Sequence, residues 1–184
     1  MKLTIQARES TSKSEINRIR REGKIPAVVY DKKGASRPVI VLGEEFSAHL
    51  RVMEKGCLAT QFFEVTEGGQ KYKAIVKDIA YCRTKYNVLH IDLMKVEDAD
   101  EITIHIPILC KGLDECLGVT EGGQIKRVKR SVKVTLKAKE VPKAFVLDVA
   151  NLRLGEALRV RDLDTTEGMK VRLQESLVLV TVSK

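Results

Sequence analysis

Two stretches of the chain alternate apolar and polar residues with a period of two. Ile102, Ile104, Ile106 and Ile108 are separated by Thr103, His105 and Pro107; Val132, Val134, Leu136 and Ala138 are separated by Lys133, Thr135 and Lys137. Successive side chains of a strand point to opposite faces, so this pattern builds a sheet with one face in a core and the other toward water. The apolar positions are mostly β-branched, which suits a pleated surface better than a helix. A further apolar, valine-rich run closes the sequence at 176–182. With turn residues between such runs, the second half reads as packed antiparallel sheets.

The first half mixes strands with two helices. Residues 3–7 alternate as a strand. Residues 14–22 suit a short basic helix, with Ser12 or Ser14 as candidate cap and Ile16 and Ile19 facing inward. Residues 24–30 are rich in β formers, with Pro26 near the start, where a missing donor is tolerated. A strand over 37–42 leads to Gly43-Glu44-Glu45, which opens a helix with acids in its first turn. Phe46, Leu50 and Met53 then recur at helical spacing. Strands near 58–65 and 71–79 are joined by a Gly-Gly turn, and a last strand covers 87–94. The string Val-Thr-Glu-Gly-Gly-Gln occurs at 65–70 and again at 119–124. Two copies do not make a solenoid, and both read as turns built on the same Gly-Gly chemistry.

The acidic run Glu97-Asp98-Ala99-Asp100-Glu101 separates the halves, which gives two domains, 1–94 and 95–184. Residues 1–94 hold 17 basic and 11 acidic side chains, the rest 16 and 14, so most of the net charge of +8 lies in the first domain. That balance suggests a polyanionic partner. No tryptophan and only eight aromatic residues argue against a large aromatic-lined pocket. The first residues do not read as a signal peptide, and no segment has the roughly 20 apolar residues of a membrane span. Cys57, Cys82, Cys110 and Cys116 are widely spaced, which points to reduced thiols in the cytosol and to no zinc site. No cofactor motif is present: phosphate-cradling glycine loops, Gly-x-Ser-x-Gly and His-Glu-x-x-His are all missing.

Arg8, Lys13, Arg18, Arg20, Arg21 and Lys24 fall within seventeen residues, opposed by Glu9, Glu15 and Glu22. Arginine forks suit phosphates, so this arm is either a nucleic-acid footprint or a solvated helix face with internal ion pairs. A second basic stretch runs from Lys126 through Lys133 to Lys143, with Lys133, Lys137 and Lys139 on one strand face. It is either a secondary nucleic-acid surface or, the commoner case, a sheet kept soluble and guarded at its edge. His90 and Asp92, two apart in a strand, share a face. Such a pair can do acid–base work, read base edges or simply hydrogen-bond. A hydrolase using Cys82 with His90 or His49 lacks any motif that brings those residues together. Tyr30, at a strand end before a polar loop, either stacks on a base or caps a core edge.

In this order the pieces resemble one family. Arg20-Arg21-Glu22-Gly23-Lys24-Ile25-Pro26-Ala27-Val28-Val29-Tyr30, Val76-Lys77-Asp78-Ile79 and Val88-Leu89-His90-Ile91-Asp92-Leu93 look like the bacterial large-subunit ribosomal proteins that bind 5S ribosomal RNA, the twenty-fifth of that series. Ile106-Pro107-Ile108, the glycines between 112 and 123, Val146-Leu147-Asp148-Val149, Leu152 and Gly155 look like the longer two-domain form known as general stress protein CTC. The resemblance implies a mainly β protein: a small closed β-barrel with flanking helices, then a β-rich domain. It implies no catalysis, a cytoplasmic place on the large ribosomal subunit, and docking on the loop E region of 5S rRNA across a widened minor groove. In that picture Arg8, Lys13, Arg18 and Arg20 contact phosphates and sugars, while Tyr30, His90 and Asp92 lie at the groove. The second domain is then a β-rich module with little or no 5S rRNA contact of its own, facing neighbouring ribosomal proteins; Lys77 and Arg83, read from this chain itself, offset its departures from the family with backbone contacts. The chain departs from the family at Ser12, Ser14, Asn17, Asp31, Ala80, Cys82 and Arg83. The rival readings are a stress-linked RNA-binding or protein-interaction factor acting off the ribosome, and a fragment of a tRNA-handling enzyme.

Overall fold

The computed structural model describes residues 1–8, 12–31, 34–54, 56–84, 86–165 and 168–184. The chain forms two compact units, Met1–Asp100 and Glu101–Lys184. No helix among the described residues is long and apolar enough to cross a membrane.

The first unit runs β1 (Lys2–Ala7), α1 (Lys13–Arg21), β2 (Lys24–Tyr30), β3 (Ser36–Leu42), α2 (Gly43–Val52), β4 (Phe62–Glu67), β5 (Gln70–Tyr81) and β6 (Val88–Lys95). Its strands close into a barrel in the order β1-β3-β2-β6-β5-β4, the architecture that the resemblance implies. Two of the pairings, β1 with β4 and β2 with β6, are parallel. Inward positions are those of the alternating pattern: Leu3, Ala27, Val39, Val41, Phe63, Val65, Ile91 and Leu93 are fully buried. Phe46 of α2 is also fully buried in this core and stacks at a tilt on Phe63, with ring centroids 6.1 Å apart. Burying such a side chain is worth roughly 1.5–3 kcal/mol. Two polar groups tie α2 to β1. Glu45 accepts from the Thr4 backbone N–H at 2.9 Å and from its hydroxyl at 3.2 Å, and His49 Nε2 lies 2.6 Å from the Lys2 carbonyl.

The second unit holds β7 (Glu101–Lys111), α3 (Leu117–Thr120), β8 (Gln124–Arg127), β9 (Ser131–Lys137), β10 (Phe145–Asp148), β11 (Ala157–Arg159), β12 (Lys170–Val171) and β13 (Val178–Ser183). They form a four-stranded sheet, β10-β7-β9-β12, and a three-stranded sheet, β11-β13-β8. Ile102, Ile104, Ile106 and Ile108 are buried, as are Val132, Val134 and Leu136 from the strand paired with them.

Several details correct the sequence reading. The second half is not wholly antiparallel, because β10 runs parallel to β7. Residues 58–61 are not strand. Cys57–Thr60 forms a 3-10 turn after Gly56 (φ 94°), with the Thr60 hydroxyl donating to the Cys57 carbonyl at 3.0 Å. Lys139 does not share a strand face with Lys133 and Lys137, because β9 stops at Lys137 and Ala138–Glu140 turns into a 3-10 helix. The repeated hexapeptide takes two structures. At 65–70, Gly68 (φ 53°) and Gly69 (φ 89°) form the β4–β5 hairpin turn, whose two positive φ angles suit a primed turn. At 119–124 the same string ends α3, with Gly122 at φ 88° and Gly123 packed so closely that a Cβ would meet Leu154, Val182 and the Gly118 carbonyl.

Gly43, at the β3–α2 junction, has no room either, since a Cβ there would land on the Gly23 carbonyl. Gly43→Ala is expected to cost about 1–3 kcal/mol by overpacking, and Phe46→Ala about 3–5 kcal/mol by leaving a cavity. Urea unfolding of the full chain reads both. Changes below about 0.5 kcal/mol, the scale of neutral surface substitutions, would contradict this packing.

Candidate nucleic-acid interface

In β6, Ile91 and Leu93 point into the barrel, so His90 and Asp92 lie together outside it. His90 Nδ1 is 2.8 Å from Asp92 Oδ1. The carboxylate can only accept, so Nδ1 carries the proton and Nε2 of a neutral ring is left as an acceptor facing outward. Asp92 pairs with Val28 in the neighbouring β2, which puts Tyr30 two residues along the same outer face. The Tyr30 hydroxyl donates to Asp92 Oδ2 at 3.4 Å. The charge of Asp92 is the main reason that the Tyr30 hydroxyl ionises above its ordinary range, with desolvation and the hydrogen bond adding to it.

On the other side of β6, β5 carries a bulge. Val76 pairs with Leu93 and Asp78 with Asp92, leaving Lys77 as the extra residue. The bulge shifts the inward parity from Ala74 and Val76 to Ile79, so Lys77 and Asp78 both lie outside. Lys77 Nζ stands 6.0 Å from the Tyr30 ring centroid, at the edge of cation–π range. Asp78 Oδ1 accepts from the Ile79 backbone N–H at 2.8 Å. His90, Asp92, Tyr30 and Lys77 therefore form one contiguous group, flanked by the second carboxylate of Asp78.

The basic arm is more divided. Ser12 is the cap of α1, with its hydroxyl accepting from Glu15 N at 3.4 Å, and Ile19 anchors the helix on the barrel. Arg20 is exposed, and its Nε and Nη2 donate to the Leu89 carbonyl at 3.3 and 3.1 Å, which fastens α1 beside His90. Arg18 is exposed and makes only long contacts, 3.9 Å to Glu15 and 3.7 Å to Glu22, so it can turn to another anion at little cost. Lys13 is exposed at the start of α1. Arg8 follows β1, where its backbone N–H donates to the Pro38 carbonyl at 3.1 Å. Its Nε and Nη1 are shielded from water and have no acceptor among the described residues. Glu9 of this arm lies outside the described residues, as do Lys32 and Lys33 after Tyr30.

Cys82 Sγ meets the Thr84 hydroxyl at 3.3 Å, while His49 faces the Lys2 carbonyl and His90 faces Asp92. These are three separate settings, not a nucleophile with its base. Sequence reasoning missed three features: the fork of Arg20 on a carbonyl, the second carboxylate of Asp78, and an open cleft beside Arg20 bordered by Lys24, Arg51, Tyr81 and Tyr86. Tyr86 is 81 % exposed and holds φ at 55°, a rare angle for a non-glycine residue. Basic and aromatic residues near the β5–β6 hairpin were the available signal.

Both units match known proteins. Residues 3–93 match the model of the Ribosomal L25p family, and residues 101–184 match that of the C-terminal domain of ribosomal protein TL5. The chain is 36 % identical to the large ribosomal subunit protein bL25 of Chlamydia trachomatis serovar D and 36 % identical to that of Chlamydia muridarum. It is 33 % identical to the same protein of Chlamydia caviae. Each match spans 184 residues and the whole of both chains.

Because Asp92 raises the Tyr30 ionisation, Asp92→Asn should move it down toward the ordinary tyrosine range near 10. Ring-carbon chemical shifts followed through a pH titration read each tyrosine separately. A Tyr30 titration unmoved by the substitution would contradict the contact.

Proposed function

The chain belongs to the Ribosomal L25p family, in the two-domain form that carries a TL5-type C-terminal domain, and we propose that its barrel holds 5S rRNA at the loop E region. It is a non-catalytic protein of the large ribosomal subunit, and it works in the cytoplasm, where bacterial ribosomes are. The observation that carries the RNA reading is the ordered group outside the barrel: His90 and Tyr30 hydrogen-bonded to the two oxygens of one carboxylate, Asp92, with Lys77 beside the tyrosine ring.

Sequence can be read from RNA where base edges and 2′-hydroxyls are reachable, which in an A-form helix is the wide minor-groove side. The His90 Nε2 and the carboxylates of Asp92 and Asp78 offer acceptors to amino groups and 2′-hydroxyls. Paired carboxylates repel phosphates, so this patch meets base edges and sugars. The phosphates fall to the cations around it: Arg8, with Lys13 and Arg18. Arg20 acts from behind by holding α1 against β6 and thereby setting where Arg18 stands. Lys77 and Arg83 supply backbone contacts near the positions where the family carries other residues, at Ala80 and Cys82.

Gel-shift titration of the full chain with 5S rRNA and with a loop E mutant RNA tests this. Loss of one good base-edge contact is worth about 1–3 kcal/mol, so His90→Ala should weaken binding to intact 5S rRNA by about 5- to 150-fold and shrink its advantage over the mutant. Lys77→Ala should instead lower the slope of log affinity against log salt by about one and weaken both RNAs alike. Binding that follows total charge alone, with His90→Ala unchanged, would overturn the reading. If the protein also sediments apart from ribosomes, the off-ribosome reading replaces it.

A further inference from the structure

The barrel leaves unused a second concentration of charge, in the other unit. Residues 126–133 read Lys-Arg-Val-Lys-Arg-Ser-Val-Lys, five cations with no acid between them. Lys126 and Arg127 end β8, Lys129 and Arg130 lie in the connection, and Lys133 is in β9. All five are exposed. Elsewhere Arg18, Lys24, Arg37, Lys73 and Lys170 lie within ion-pair distance of carboxylates. None of these five side chains makes an ion pair or hydrogen bond among the described residues. Arg127 only comes near enough to the Cys110 thiol to offset part of the upward push of burial on it.

The strip is also rigid. The backbone N–H groups of Val128 and Lys129 both donate to the Leu179 carbonyl, at 2.9 and 3.2 Å, and the Arg130 carbonyl accepts from Ile108 N at 2.9 Å. β8 is itself laddered to β13 from Gln124 to Arg127. The connection is thus pinned to both sheets of the unit, and cations on a fixed backbone lose less freedom when they bind. Guarding an open sheet edge accounts for the lysine and arginine on β8, an edge strand. It does not account for Lys129, Arg130 and Lys133, which lie beyond that strand.

We propose that this strip is a second nucleic-acid surface, which binds the phosphate backbone of duplex RNA without reading its sequence. Two arginine forks match phosphate oxygens. Lys126 and Arg127, consecutive in a strand, leave the edge on opposite faces, which suits an anion that lines both sides of it. A protein neighbour would call for a desolvated aromatic or aliphatic anchor, and the strip offers only Val128, half exposed.

The test uses the full chain and an A-form RNA duplex of about 16 base pairs without loop E, a length that spans two successive minor grooves. One variant replaces Lys126, Arg127, Lys129 and Arg130 with Gln. A control variant replaces four exposed lysines of the same unit, Lys111, Lys137, Lys139 and Lys184, with Gln. Circular dichroism and unfolding midpoints check that both are folded. The strip variant should lose at least about tenfold in affinity at low salt, with its slope of log affinity against log salt reduced by about 2 to 4; each lost phosphate contact lowers that slope by about one. The control should lose less than half as much. Equal losses would mean that only total charge matters, and no loss would hand the surface to a protein neighbour; either overturns the proposal. Discrimination between intact 5S rRNA and a loop E mutant should survive in the strip variant. Its absence from the unaltered protein as well would count against the barrel reading and leave this one standing.

Discussion

The parallel pairing of Lys2–Ile5 with Glu64–Glu67 closes the barrel, and the placement of every outer side chain follows from that closure. A closed sheet has no free edge and no choice of register, because a slip by one residue would exchange its two faces. With Leu3, Val29, Val65, Ile91 and Leu93 committed to the interior, the alternate residues Tyr30, His90 and Asp92 must face out. The closing strand is held from a second direction by Glu45 and His49 of α2, which occupy the backbone groups of Thr4 and Lys2. This outer group is rigid because the fold beneath it is.

Electrostatics then divides the surface by task. Two carboxylates meet across β5 and β6, at Asp78 and Asp92, and the main cations of α1 stand apart from them. A phosphate gains nothing beside Asp78, while an amino group or 2′-hydroxyl gains an acceptor. Phosphate contacts fix register and orientation, and base-edge contacts carry sequence information. The β5 bulge makes the division possible by turning Lys77 and Asp78 out together. The cost is small, since Ile79 still reaches the core one position later.

Much of this was legible in the residues. β2 spans 24–30, as its run of β formers suggested, and Gly43 opens α2 with Phe46 inward. The alternation of Ile102 to Ile108 marked β7, because burial on one face leaves a period of two that composition cannot hide. Parallel pairing was not legible, since parallel and antiparallel strands share that period and differ only in their partners. The bulge was hidden because Val76-Lys77-Asp78-Ile79 reads as ordinary alternation with one position out of step. Arg20 is exposed like its neighbours, and only the approach of Leu89 in space shows its fork facing a carbonyl. The two copies of Val-Thr-Glu-Gly-Gly-Gln show the same limit: flanking strands made one a hairpin, and a preceding helix made the other a helix end. For the site, a strand's geometry alone placed His90 beside Asp92, while Tyr30 and Lys77 joined them through the resemblance and the fold.

The central claim is that this outer face of the barrel sits in the loop E groove of 5S rRNA. Hydroxyl-radical footprinting of 5S rRNA with the full chain tests it directly, since cleavage reports sugar exposure nucleotide by nucleotide. The account requires protected sugars on the minor-groove side of loop E, with that protection weakened when Asp92 is replaced by Ala. Protection spread evenly over helical regions, or a loop E as exposed as in the free RNA, would contradict it.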